Sequence, residues 1–378
     1  MKVMFSAGEA SGDTHAASVA KALRQICPDV TMFGMGGDLM AAQGVDIIYD
    51  IKNLGYIGIV EIVKALPEFF KLRRFLKEAM MREKPDVVVC VDYPGFNMKL
   101  AKVAHELGIP VVYYIAPTIW AWHKSRGKDI AKYVSKVASI FPFEAKAYEE
   151  FHVPVEFVGH PLVDIVQPSM SEAAAYEYFG TAEDVYNVLL MPGSRKQEVI
   201  GLLDIMLDGA SRFYATHKNA RFFVPRAHTI DRELLEERIR RFDLPVTITE
   251  GHTYDLMGIC DVCLAASGTA TLETALMNLP TVLLYRLSAV TYALAKLLVS
   301  IPDVGLPNIV AGHRVIPELI QGDVTAANVH TELCRIVDNP EVYSTMKEEL
   351  RQVKEALGAQ GAVLRVAQVI TEVAGGGR

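Results

Sequence analysis

The chain lacks long apolar runs: no uninterrupted stretch approaches the roughly 20 residues that a membrane-spanning helix needs. Its first residues, Met1-Lys2-Val3-Met4-Phe5-Ser6-Ala7, reach Glu9 too soon to form a secretion signal and read as the first strand of a cytoplasmic protein. Cysteine is sparse. Cys27, Cys90, Cys260, Cys263 and Cys334 form an odd, scattered set that suits a reducing compartment rather than a disulfide framework. Cys260-Asp261-Val262-Cys263 has the C-x-x-C form, but no second pair or nearby His completes a zinc site, and we read buried thiols at a helix end and in a strand. A basic excess is also missing: 38 Lys and Arg against 45 Asp and Glu give a net charge of -7, which argues against a general nucleic-acid binder. Neither G-x-x-x-x-G-K-[ST] nor G-x-G-x-x-G occurs, so neither an ATP on a P-loop nor a dinucleotide on a Rossmann fingerprint is expected.

What is present is a globular α/β composition, 378 residues of which 51% are hydrophobic, too long for one core and therefore two domains. Residues 2–7 read as a strand, Gly8-Glu9-Ala10-Ser11-Gly12-Asp13 as a Gly-rich turn, and 14–26 as a helix. Apolar strands follow at 86–91, 109–115 and 137–141, and after a pause at Gly159-His160-Pro161 at 185–191 and near Phe222, Val246, Val262 and Val282, alternating with helical pattern. That alternation predicts mostly parallel sheets, with domains at 1–164 and 165–345 and C-terminal helices with a tail at 346–378.

The most informative stretch is Val262 to Glu273. If the apolar run is a strand and Gly268 opens a helix, the N–H groups of Gly268, Thr269 and Ala270, just past Ser267, form an anion site. Glu273 then stands near the rim of the same crevice, where it can accept from a ribose diol. Pro192-Gly193-Ser194-Arg195, with Glu198 in the next turn, offers a second helix N-terminus and a guanidinium suited to a pyrophosphate. In the first half, Asp92 ends the strand 86–91 and is either a general base or a turn cap, with Glu9 and Asp13 as rivals for the base. Trp120 and Trp122 precede Lys124 and Arg126, a segment suited to a sugar, a phosphate or an anionic lipid surface. Residues 57–84 combine Phe69 and Phe70 with Arg73 and Arg74, as an interfacial membrane helix or an ordinary amphipathic helix would, and Pro67 reads as a break or a new helix start.

Taken together, these motifs resemble the lipid-A-disaccharide synthase family of inverting, GT-B-type glycosyltransferases over nearly the full length. The likeness rests on Gly8-Glu9-Ala10-Ser11-Gly12-Asp13, Asp92 with Phe96-Asn97, Trp120-Ala121-Trp122 with Arg126, Pro142-Phe143-Glu144 and Gly159-His160. It continues through Pro192-Gly193-Ser194-Arg195 with Glu198, Ala266 to Ala270 with Glu273, Tyr285-Arg286 and Leu306-Pro307-Asn308. Gly95 stands where some relatives have a second Asp, which leaves Asp92 alone in that turn. The resemblance implies two Rossmann-like domains whose sheets face across a cleft, with the C-terminal helices packing back toward the N-terminal domain. It also implies transfer from UDP-2,3-diacylglucosamine to 2,3-diacylglucosamine 1-phosphate with release of UDP. Asp92 would be the base, and Gly193, Ser194, Arg195, Glu198, Ser267 to Ala270, Glu273 and Asn308 the nucleotide site. No cofactor is expected, and because the chain has no Asp-x-Asp pair no metal-held diphosphate is indicated. The expected partners are the two lipid substrates and the cytoplasmic face of the inner membrane, with a second copy of the chain as a possible homodimer and no nucleic acid. The rival readings are another UDP-sugar enzyme of the same fold, such as a UDP-N-acetylglucosamine 2-epimerase or a lipid-linked muropeptide glycosyltransferase, or a sugar-nucleotide binder without turnover.

Overall fold

The computed structural model describes residues 1–54, 59–117, 119, 125–287 and 303–376, the side chains of residues 53, 59–66 and 125 excepted. The chain divides into two compact units, Met1–Pro161 with Gly358–Arg378, and Leu162–Leu357. The sequence suggested C-terminal helices and a tail over 346–378 that pack back toward the first domain; the helix Pro340–Ala356 belongs to the second unit, and the last helix, Ala362–Gly375, returns to the first.

The first unit runs β1 (Lys2–Ala7), α1 (Ala10–Ile26), β2 (Thr31–Gly36), α2 (Asp38–Ala42), β3 (Asp46–Asp50), α3 (Ile59–Glu83), β4 (Val87–Val91) and α4 (Pro94–Glu106). It continues with β5 (Val111–Tyr114), α5 (Ser125–Tyr133), β6 (Lys136–Ser139), α6 (Pro142–Glu149) and β7 (Val155–Phe157). Among the described residues these strands form one sheet in the order β3-β2-β1-β4-β5-β6-β7, every pairing parallel. Helices on both faces bury β1 and β4 completely along Val3-Met4-Phe5 and Val87 to Val91, which is why those runs are apolar without alternation. The last helix packs on α1 and on β4 to β6, burying Val366, Val369 and Ile370.

Two local expectations change. The exit from β1 needs only Gly8-Glu9, and α1 starts at Ala10 with Gly12 and Asp13 already inside its first turns. Pro67 does not break α3, which runs through it from Ile59 to Glu83; the helix forgoes the one hydrogen bond that proline cannot donate and is held by Leu72, Leu76, Ala79 and Met80 in the core.

The second unit runs α7 (Leu162–Ile165), α8 (Glu172–Phe179), β8 (Asn187–Met191), α9 (Lys196–Thr216), β9 (Arg221–Pro225), α10 (Arg232–Ile239), β10 (Val246–Thr249) and α11 (Thr253–Ile259). It continues with β11 (Val262–Ala266), α12 (Thr269–Leu276), β12 (Thr281–Tyr285) and β13 (Glu318–Ile320). The order is β10-β9-β8-β11-β12-β13, again parallel throughout. In each sheet the first strand of the unit lies beside the fourth, β1 by β4 and β8 by β11. The loops leaving those two strands therefore diverge and open a crevice at the carboxyl ends. Cys260 closes α11 and Cys263 lies in β11, both buried thiols.

One glycine shows how tightly the first sheet is built. Gly34 pairs with Phe5 at a φ of 152°, and a Cβ there would fall 2.0 Å from the Phe5 carbonyl oxygen. Gly34→Ala is expected to destabilise the protein by about 2–4 kcal/mol, through strain and a forced shift between β1 and β2. Chemical denaturation checks this; an unchanged midpoint would mean that the two strands can separate freely.

Candidate functional site

In the second unit a cavity of about 750 Å³ opens at the carboxyl ends of β8, β9 and β11, at the point where the strand order reverses. Its floor includes the turn 266–270. Ser267 N–H donates to the Leu284 carbonyl, and the Thr271 hydroxyl and N–H both donate to Gly268 O, which fixes the entry to α12. Gly268 takes a φ of 145°, a backbone geometry open to glycine although a side chain there would meet nothing. Among the described residues no acceptor takes the N–H groups of Gly268, Thr269 and Ala270, so three donors and the positive end of α12 face the cavity. Glu273 lies about one turn further along α12, half-buried in the cavity wall, and burial raises its pKa. The Tyr254 hydroxyl, itself pushed up to about 12 by burial, donates to Glu273 Oε1 at the long distance of 3.5 Å.

The turn 192–195 also lines the cavity, but its donors are not free. Glu198, in the first turn of α9, reaches back so that its Oε2 accepts from Ser194 N–H and Arg195 N–H at 3.2 Å each, and its Oε1 accepts from the Arg195 guanidinium at 3.1 Å. A carboxylate at the third helical position does this wherever the entry turn presents it with N–H groups. The expectation of two open helix N-termini is thereby corrected to one open and one capped from within. Arg195 is 83% exposed and its guanidinium is held by that surface pair, so it can turn to an incoming anion at little cost.

Asn308 is corrected outright. It is buried away from the cavity, its Oδ1 accepts from Val315 and Ile316 N–H, and its Nδ2 donates to Ile316 O and Glu318 Oε1. Its amide is fully engaged in holding the loop before β13, leaving no group for a nucleotide. Sequence reasoning missed Asp255, which is buried in the cavity wall. It accepts from the N–H groups of Ser169 and Met170 at 2.5 and 2.8 Å, from the Ser169 hydroxyl at 2.8 Å, and lies 3.2 Å from His252 Nδ1. Burial works against its ionisation, but these hydrogen bonds prevail and hold its pKa below the usual carboxylate range. The available signal was its place in the first turn of a helix that directly follows a strand.

In the first unit, Asp92 leaves β4 and Glu9 leaves β1, the two strands at that sheet's reversal. Burial raises the pKa of Asp92, against the opposing pull of the Tyr93 N–H and the charge of His15. Burial and the Asp92 charge raise that of the exposed Glu9. His15, on α1, is lowered by burial despite Asp92, and His160 is lowered to about 4 by burial and by His15. Burial thus weakens both carboxylic acids and makes both imidazoles weaker bases. His15 was missed in the sequence; its only signal is its position two turns into the helix that leaves β1.

Asp13 is a different case. Its side chain accepts from Gly37 N–H at 2.8 Å, Leu39 N–H at 3.1 Å and Met40 N–H at 3.2 Å, so it caps α2 from α1 and is corrected from rival base to structural cap.

Phe69 and Phe70 separate. Phe69 packs into the core against Phe96, with ring centroids 6.0 Å apart, whereas Phe70 is 55% exposed with the Arg73 guanidinium 5.1 Å above its ring. Arg74 pairs with Glu78 at 2.9 Å on the exposed side. Arg126 lies half-buried at the start of α5. Trp120, Trp122 and Lys124 lie outside the described residues.

The family described as lipid-A-disaccharide synthetase matches residues 3–372. A lipid-A-disaccharide synthase from Geobacter metallireducens is 39% identical over 374 residues, 99% of this chain and 97% of its own. Among solved structures, the UDP-GlcNAc 2-epimerase from Neisseria meningitidis bound to UDP-GlcNAc matches with TM-score 0.62 at 14% identity, covering 98% of this chain and 100% of its own. MurG from Acinetobacter baumannii matches with TM-score 0.61 at 15% identity, covering 98% and 99%. At such identities the structural likeness shows the fold alone: α/β of the GT-B type.

The capping role of Asp13 makes a sharp expectation. Asp13→Ala should cost about 2 kcal/mol of stability, since three N–H groups at the start of α2 lose their acceptor. Asp13→Asn, which keeps Oδ1 for Gly37 and Met40, should lose less. Denaturant titration decides, and a fully stable Asp13→Ala would return Asp13 to the candidate bases.

Proposed function

The chain belongs to the lipid-A-disaccharide synthetase family, and from that premise we propose how its two units divide the reaction. It is a hexosyltransferase of lipid A biosynthesis that moves 2,3-diacylglucosamine from UDP-2,3-diacylglucosamine to the 6-hydroxyl of 2,3-diacylglucosamine 1-phosphate and releases UDP. The observation that carries the division is the open helix N-terminus at Gly268, Thr269 and Ala270 in a cavity of about 750 Å³, with Glu273 in its wall.

The second unit holds the donor. The diphosphate takes the three N–H groups of the 268–270 turn, and Glu273 accepts from the ribose hydroxyls. As the glycosidic bond breaks, negative charge grows on the β-phosphate; N–H donors fixed in advance stabilise it without reorganisation, and Arg195 adds a mobile positive charge. Because the chain has no Asp-x-Asp pair, we assign the neutralisation to these groups rather than to a metal.

The first unit supplies the base. Inversion requires one in-line displacement, in which the acceptor 6-hydroxyl loses its proton as its oxygen attacks the anomeric carbon. Asp92 is suited to take that proton because burial makes it more basic than a solvated carboxylate. Glu9, Tyr93, Tyr113 and His15 lie close to it, and Glu9 is the remaining alternative.

Both substrates carry acyl chains, and α3 offers Phe70, Phe75 and Met81 at 55%, 39% and 49% exposure among basic residues. This supports a peripheral association with the cytoplasmic face of the inner membrane; no helix of the described residues is long and apolar enough to cross it. A second copy of the chain remains a proposed partner on the family likeness.

Mass spectrometry on the two lipid substrates tests the reaction directly. The protein should form the disaccharide 1-phosphate and UDP, and Asp92→Asn should form it about 10²–10⁴-fold more slowly; altered donor without acceptor would indicate an epimerase instead. Because the base works deprotonated and its pKa is raised, the rate should fall with decreasing pH at values above those of an ordinary carboxylate. That acid limb should vanish in Asp92→Asn. Glu273→Ala should weaken UDP about tenfold or more by calorimetry, because the ribose hydroxyls would be left without their charged acceptor.

A further inference from the structure

We propose that Asn97 is the positioning residue for the base, with the Tyr113 hydroxyl as its second support; this rests on the reading of Asp92 as base. Asp92 and Tyr93 occupy the left-handed region in succession, at φ of 49° and 52°. Neither is glycine, and two such residues in a row persist only where the surroundings impose them.

What imposes them is Asn97, fully buried in the first turns of α4. Its Nδ2 donates to Asp92 O at 2.8 Å, Ser6 O at 3.0 Å and Val91 O at 3.2 Å, and its Oδ1 accepts from the Ser6 hydroxyl at 2.6 Å. One amide therefore joins the carboxyl ends of β1 and β4. Tyr113, on β5, donates its hydroxyl to the same Asp92 O at 3.0 Å, and Asp92 N–H donates to Tyr114 O at 3.0 Å. With its carbonyl held from two sides and its N–H from a third, the Asp92 backbone is fixed, and with it the point from which its side chain projects.

No isostere of the amide at position 97 keeps these hydrogen bonds. Three carbonyl oxygens, those of Ser6, Val91 and Asp92, share its two N–H bonds, and the Ser6 hydroxyl donates to its oxygen. Aspartate would present an acceptor to those carbonyls, and leucine neither donor nor acceptor. Asn97 does not touch the reacting atoms; it acts through Asp92.

The test uses Asn97→Ala and the milder Tyr113→Phe, which removes one hydroxyl and keeps the ring in the core. Folding is followed by circular dichroism, and UDP affinity, read by calorimetry, reports the second unit separately. Expected are a fall in kcat of about 10²-fold for Asn97→Ala and about tenfold for Tyr113→Phe, from a base displaced by a fraction of its reach. The donor KM and the UDP Kd should stay within about twofold, as the variants leave the donor site intact. The acid limb should shift toward the ordinary carboxylate range as the turn relaxes and Asp92 gains water. A merely structural role would reduce the folded fraction and leave kcat per UDP-binding site and the pH profile unchanged; that result, or wild-type kcat in a folded Tyr113→Phe, overturns the proposal. If Asp92→Asn itself turns over normally, the base assignment fails first and separately.

Discussion

The candidate base and the candidate donor site both depend on one constraint. Every described strand pairing is parallel, so all strands of a sheet end on the same side and all exits gather there. Asp92 follows β4, Glu9 follows β1, the 192–195 turn follows β8 and the 267–270 turn follows β11. The sheets carry no chemistry themselves. Their buried apolar strands provide a rigid edge from which short polar turns project, and at each strand-order reversal two such turns diverge and leave room for a ligand.

The two edges are built with opposite electrical character. In the second unit the groups left without a partner among the described residues are N–H donors at a helix start, which favour an anion. In the first, burial acts on carboxyl and imidazole groups alike and favours the uncharged form of each, so that protons are held less extremely than in water. The contrast follows from backbone geometry in one case and from desolvation in the other, and it matches the proposed division between holding a charged leaving group and moving a proton.

How much of this was legible in sequence depended on the range of the interaction. β1, β4 and β11 are continuous apolar runs, and the turns after them were readable because a strand, a small residue and a helix follow within a few positions. β2 was not: Gly34 and Gly36 break its pattern, and Gly34 is there for the close passage of β1, an approach between residues far apart in the chain. β3, β7 and β13 are short or partly exposed edge strands with little apolar signal to read. Asp13 looked like a base because the N–H groups it accepts from, on Gly37, Leu39 and Met40, lie on another element. Asn308 was a ligand only by family resemblance, and its partners are brought to it by the loop that follows. Phe69 and Phe70 are adjacent and alike in composition, and only the rotation of α3 over the core decides which one is buried.

The last helix returns to the first unit after the whole of the second has been traversed, and Arg365 ties the return, donating to Val158 O at 2.7 Å and to the carbonyls of Ala359 and Gln360. During synthesis, then, the second unit emerges uninterrupted and can close its own core on the ribosome. The first sheet must wait, with one side of α1 and of β4 to β6 uncovered, until residues 362–375 have left the exit tunnel. For most of the time taken to translate the chain, the unit made first is therefore the one exposed to chaperones and to aggregation.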